Sequence, residues 1–139
     1  MSQASDYLEN KLLDHVLRNT AYTSPTTVYV GLFLNTSGNA LTNLEAGTLT
    51  DEVPNSNSYA RVAATFSAAS SGSITTSGNI TFAAANGGDF GTITHIAILD
   101  GNTHGSGNVL FYGALTTSKT IQDGDTFQIT TGNLTVTLA

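Results

Sequence analysis

Residues 6–20 read DYLENKLLDHVLRNT, and they are the only stretch of the chain with a helical period. Leu8, Leu12, Leu13, Val16 and Leu17 recur at helical spacing along one side, with Glu9, Asn10, Asp14 and Arg18 opposite. Asp6 stands where a side chain would cap the first turn, and Glu9, three residues on, suits the helix dipole. Asp14 and Arg18 are spaced i, i+4, a pair worth about 0.3 kcal/mol when exposed. A helix this short is marginal alone in water. The predicted N-terminal arm, about residues 5–20, must therefore lay its leucines on the chain's own β body or on a neighbouring subunit.

Outward from the helix the period falls to two. Ser24 and Pro25 end the helix, and residues 26–34 read as a strand. Val28, Val30, Leu32 and Leu34 take one face and Tyr29, Gly31 and Phe33 the other, so this strand is predicted to be central and covered on both sides, with the helix as one cover. Residues 35–58 show no sustained period. A connection this long is either functional, bound to a partner, or a mobile surface excursion. Residues 59–66 resume the alternation, with Ala60, Val62, Ala64 and Phe66 against Arg61.

Segments 74–76 and 79–83 read as one interrupted strand or as a hairpin around Ser77-Gly78. TITHIAIL at 92–99 is the most β-branched run and a second central strand. A strand at 109–115 follows the Gly- and Asn-rich segment 100–108. Residues 117–122 and 126–130 read as a hairpin about Asp123-Gly124, and in the last strand, 133–138, Leu134, Val136 and Leu138 point inward. About seven to nine short strands with regular turn signals predict a mainly β fold. The expected architecture is an antiparallel β-sandwich, or flattened barrel, with one N-terminal α-helix, forming a single domain over residues 1–139.

Charge and composition narrow the function. Four basic against ten acidic residues give a net charge of −6, which leaves no counter-charge for a nucleic-acid backbone and equally disfavours an anionic membrane surface. Only 10% of residues are charged, so Ser, Thr, Asn and Gly must supply the polar surface. Without cysteine the fold uses neither disulfides nor thiolate zinc. The start, MSQASDYLEN, lacks the basic and apolar regions of a signal peptide, which predicts synthesis in a cytoplasm.

No catalytic, cofactor-binding or metal motif emerges. His15, His95 and His104 lack ligand spacing, and His95, alternating within an apolar strand, reads as a half-buried core histidine. His104 reads as a solvated loop side chain. There is no G-x-S-x-G nucleophile elbow. Asp100-Gly101-Asn102 and Asp123-Gly124-Asp125 resemble calcium-loop fragments, but no bidentate acid follows, so each reads as a turn. The carboxylates Glu45, Asp51 and Glu52 cluster in the long loop and read as a solvated acidic stretch.

Taken in order, SDYLENKLLDHVLRNTAYTSP, TVYVGLF, SYARVAATFSAA, FGTITHIAILDG and GALTTSKTIQDGDTFQI resemble a family of small tailed-bacteriophage proteins labelled as tail fibre proteins. The resemblance covers nearly the whole chain. It is most specific in the N-terminal helix-to-strand segment and weakest at 35–58. It implies a virion structural protein, with no catalytic residue and no cofactor carried over. Similar small β proteins serve as capsid decoration (cement) proteins, often trimeric, and such a role is the first expectation.

The partners would then be the chain itself, as a homo-oligomer and a trimer, and the major capsid protein or other virion proteins. The expected contact residues are Tyr7, Leu8, Leu12 and Arg18 in the arm, Leu41, Leu44 and Leu49 in the long loop, and Arg61 as one of few cations able to pair across an interface. The alternative is a tail fibre or baseplate component that binds a host glycan or receptor through Tyr59, Tyr112 and the 100–108 loop. An enzyme acting on a cell-wall polymer ranks last, because no paired acid and base is placed for it.

Overall fold

In the computed structural model, which describes residues 2–138, the segments with apolar residues on both faces lie in the middle of a sheet. The elements in chain order are β1 (Gln3–Ala4), α1 (Asp6–Leu17), β2 (Val28–Phe33), α2 (Ala40–Glu45), β3 (Val62–Ala64), β4 (Ser73–Thr75), β5 (Ile80–Thr81), β6 (Gly91–Leu99), β7 (Val109–Ile121), β8 (Gln128–Ile129) and β9 (Thr135–Thr137). A five-stranded antiparallel sheet has the order β1-β7-β6-β2-β3. Two small antiparallel ladders, β4 with β9 and β5 with β8, complete the strands.

Alternation in β2 and β6 divides the core in two. Val30, Leu32, Ile96 and Ile98 face the segments carrying the small ladders and pack with Phe82, Phe90, Phe127, Leu134 and Val136. Phe33, Ala97 and Leu99 face the other way and pack with Val109, Tyr112 and Leu44, with Leu49 laid against them. Each such side chain, once buried, contributes about 1.5–3 kcal/mol. The mainly β, antiparallel expectation with one N-terminal helix therefore holds. The flattened barrel does not: the sheet ends at β1 on one side and β3 on the other and is open.

Helix α1 begins at Ser5 rather than at the expected cap, Asp6. The Ser5 hydroxyl donates to the Val109 carbonyl and accepts from the Leu8 N–H at 3.2 Å, while the Ser5 N–H donates to Leu110 O at 2.9 Å. Those carbonyls belong to an irregularity in β7, where Ile98 pairs with Phe111 but Leu99 pairs with Val109, leaving Leu110 extra. Ser5 wins because its short side chain reaches the sheet and the helix together, whereas Asp6 is exposed. From that anchor Leu8 is buried in the core and Leu12 packs half-buried against it. Leu13, Val16 and Leu17, expected on the same stripe, point away from the body.

The segment 35–58 is neither irregular throughout nor loose. It holds the short helix α2, whose Leu44 supplies the cover on β2 that was expected from α1. Asp51, buried, gathers the turn before α2 by accepting from Thr36 Oγ1 and the Ser37 N–H, each at 2.9 Å, and from the Ser37 hydroxyl. The segment then runs beside β2, with Leu34 N–H to Asp51 O at 2.8 Å and Val53 N–H to Leu32 O at 3.0 Å.

Strand partners are chosen across the fold rather than across the nearest turn. Of the two expectations around Ser77-Gly78 the interrupted strand holds and the hairpin does not: β4 joins β9 and β5 joins β8, with Thr76 N–H to Leu134 O at 3.1 Å between the two ladders. At Asp123-Gly124 the turn forms, with Asp125 N–H to Gln122 O at 2.8 Å, but its two strands separate. β7 pairs with β6 and β8 with β5, and a groove opens between them. Leu138 is exposed rather than inward, lying one residue past the end of β9.

Candidate interaction surface

The most constrained polar cluster joins the long segment to the 100–108 loop. The Glu52 carboxylate is buried and accepts from four donors: Arg61 Nε at 2.7 Å, Arg61 Nη2 at 2.8 Å, the Tyr59 hydroxyl at 2.8 Å and the Gly105 N–H at 3.0 Å. Arg61 turns its remaining amino group on the loop, donating from Nη1 to Gly101 O at 2.8 Å and to Ser106 O at 2.9 Å. Tyr59 accepts from the Leu32 N–H at 3.0 Å, which fastens the cluster to β2. Gly31 leaves the room for it: a Cβ there would stand 3.3 Å from Glu52 Oε2 and 3.1 Å from Leu99.

His104 lies against the same cluster. Its Nε2 is 2.8 Å from Val53 O, so that nitrogen carries the proton, and its ring meets Tyr59 edge-on at 6.1 Å. It is packed, not solvated as expected. Asp100 closes the loop by accepting from the Asn108 N–H and side-chain amide, both at 2.8 Å. Every buried side-chain nitrogen and oxygen among the described residues has a partner. With its hydrogen-bonding capacity filled, the Glu52–Arg61 pair acts as a clamp between two loops.

Electrostatics make this clamp acid-sensitive. Burial pushes the Glu52 carboxyl up, but the hydrogen bonds from Arg61, Gly105 and Tyr59 outweigh it and hold the group below its usual value. Asp51 is likewise lowered, its burial outweighed by Ser37, Thr36 and Asn43. Burial and the neighbouring Glu52 charge raise the Tyr59 phenol. Burial lowers His95, which keeps it neutral. In all three lowered groups the unfolded chain takes up protons first as pH falls, so each contributes stability above its unfolded value that is lost as pH drops through its folded one. The melting temperature is expected to be flat above about pH 7, to decline below about 6.5 as His95 comes into play, and to fall steeply below about pH 4. Thermal melts by circular dichroism between pH 3 and 8 check this, and an unchanged midpoint at pH 3.5 would contradict it.

The expected contact residues fall into two groups. Leu8, Leu44 and Arg61 are buried in the chain itself, so Arg61 pairs with Glu52 rather than across an interface. Tyr7, Leu12 and Leu49 are half-buried against the core. Leu41 and Arg18 are exposed, Arg18 pairing with Asp14 at 3.0 Å. Tyr59 and Tyr112, offered for receptor binding, are both buried, and the 100–108 loop beside Tyr59 is tied down.

The apolar surface left uncovered is concentrated on α1, where Leu13, Val16 and Leu17 are 56%, 72% and 75% exposed. Sequence reading missed the division within this helix, although the spacing carries it. Leu8 and Leu12 form one i, i+4 row and Leu13 and Leu17 a second row about 100° round the axis, so one buried stripe could not hold both. Glu52 was missed because nothing local marks it. The available signal was Arg61, a cation in a short strand of small apolar residues, which demands a buried carboxylate.

The second open feature is the groove between β7 and β8, about 630 Å³, with Phe127 and Ile129 beneath and Thr, Gln, Asn and Lys119 along its sides. Among the described residues no three His, Cys, Asp or Glu side chains gather as a metal site, and no helix is long and apolar enough to cross a membrane. No curated protein matches the chain. Residues 3–137 match the family described as Podophage GP4 fiber I protein gp80, which spans both loops of the clamp, α1 and the groove. The chain belongs to that family, and it is a small tailed-phage virion structural protein of the fibre type.

Proposed function

We propose that the chain is a non-enzymatic subunit of the podophage tail-fibre apparatus, seated on neighbouring virion proteins or on further copies of itself through the outward face of α1. The observation that carries this reading is the match to the fiber I family over residues 3–137. The exposed row of Leu13, Val16 and Leu17 supports it, because a helix anchored at one end by Ser5 and apolar on its outer side gains stability when a neighbour covers that side. The clamp supports it too, since a rigid body passes position from one subunit to the next without relaxing.

Electron microscopy of intact virions, with copies counted against the major capsid protein, tests the reading. A small number confined to the tail is expected. Hundreds of copies on the shell would replace it with capsid decoration, the major capsid protein then being the partner beneath α1.

A further inference from the structure

We infer that the groove between β7 and β8 binds an acidic oligosaccharide, that is, a short stretch of carboxylate-bearing polysaccharide. The inference rests on the fibre reading for the source of the ligand, a bacterial surface, and on the groove for its chemistry. β7 is paired to β6 through Thr92–Thr120 and Ile93–Lys119, with the lining residues Leu115, Thr116 and Thr117 falling in the register shift between Ile93 and His95, and β8 is paired to β5 through Ile80–Ile129 and Thr81–Gln128. The paired stretches exist before any ligand arrives, which lowers the ordering cost of binding. At about 630 Å³ the space is an open groove of ligand size, suited to a linear chain passing through.

The lining selects the chemistry. Among the described residues the Thr116, Thr117 and Thr126 hydroxyls make no side-chain hydrogen bond, and all three are exposed. Gln128 commits its amide N–H to Thr81 Oγ1 at 2.7 Å, and Asn133 commits its own to Thr130. Each keeps a carbonyl oxygen free to accept. Alternating hydroxyl donors and amide acceptors along a groove match the hydroxyls of sugar rings.

Discrimination falls to charge. Phe127 is almost fully buried, so the groove offers no open aromatic face on which a neutral ring could stack. Lys119 is the one charged residue lining it, and no carboxylate among the described residues lies within ion-pair distance of its ammonium. On a chain of net charge −6, an exposed ammonium in the groove wall is where a carboxylate is held.

The test is a titration of the isotope-labelled full chain with hexagalacturonate, and in parallel with neutral maltohexaose and with hexamers of hyaluronan and of sialic acid, followed through backbone amide shifts. Shifts confined to residues 115–119 and 126–133 are expected with at least one of the acidic oligomers and not with maltohexaose. Lys119→Ala should weaken binding about tenfold while leaving the melting temperature unchanged, since that side chain is exposed, and Lys119→Arg should restore it. Groove shifts with none of the three acidic oligomers, equal binding of the neutral one, or indifference to Lys119→Ala would each overturn the inference. Because the isolated chain is used, a groove that binds in a protein counted on the capsid shell would leave this inference standing and defeat the fibre reading. A tail-located protein that binds nothing would do the reverse.

Discussion

Replacing Arg61 by alanine is expected to cost about 3–5 kcal/mol of unfolding free energy. The Glu52 and Arg61 side chains are 0% and 1% exposed, and Glu52 would keep its charge with two of its four donors gone. The loss reaches further than the pair. Without Nη1, the carbonyls of Gly101 and Ser106 lose their partner, so the 100–108 loop is left with its ties from Gly105 to Glu52 and from His104 to Val53. Against the roughly 5–15 kcal/mol that holds an ordinary domain together, such a loss leaves a chain marginal at growth temperature. Urea unfolding followed by circular dichroism reads the change directly, and a loss under about 1 kcal/mol would show that the pair is not the clamp described. Replacing both partners at once, Arg61→Met with Glu52→Leu, should recover only the share owed to the orphaned charge, because the Tyr59 hydroxyl, the Gly105 N–H and the Gly101 and Ser106 carbonyls all stay without their partners.

Phe33→Ala is expected to cost a similar amount, about 3–5 kcal/mol, by a different route. Phe33 is fully buried in the smaller cluster, among Leu44, Ala97, Leu99, Val109 and Tyr112. Removing its ring opens a cavity between the sheet and α2. That helix spans Ala40–Glu45 and cannot persist without the surface it rests on. The distinguishing sign is therefore local. Amide exchange across 40–49 should accelerate well beyond what global destabilisation explains, while the β4–β9 ladder keeps its protection relative to the whole. Uniform acceleration along the chain would mean that α2 has support other than Phe33.

How far the sequence revealed this arrangement depended on whether the deciding contact was near or distant. β2 and β6 were legible because a strand apolar on both faces has one stable place, the middle of a covered sheet. The helix was legible as a helix, but its cap was misplaced by one residue, since Ser5 is chosen by carbonyls of β7 that lie remote in sequence. α2 escaped notice because NALTNLEAG carries only Leu41, Leu44 and two alanines, too few apolar positions to reveal a period. The turn at Asp123-Gly124 was read correctly and its strands were not. A turn is set by its own few residues, whereas pairing is decided by segments remote in sequence, β6 for β7 and β5 for β8. The same limit hid the clamp and the groove, both of which exist only once separated segments meet.

The seat of α1 also has a consequence in time. Ser5 is fastened to Val109, 104 residues further along the chain. At ribosomal rates that carbonyl is made roughly 5–20 s after the serine. Throughout that interval the helix has nothing to cap it from the sheet side and nowhere to lay Leu8, so an element made early is among the last to be docked. Its leucines stay uncovered until β7 emerges, and through that waiting period they are the apolar surface by which incomplete chains can aggregate.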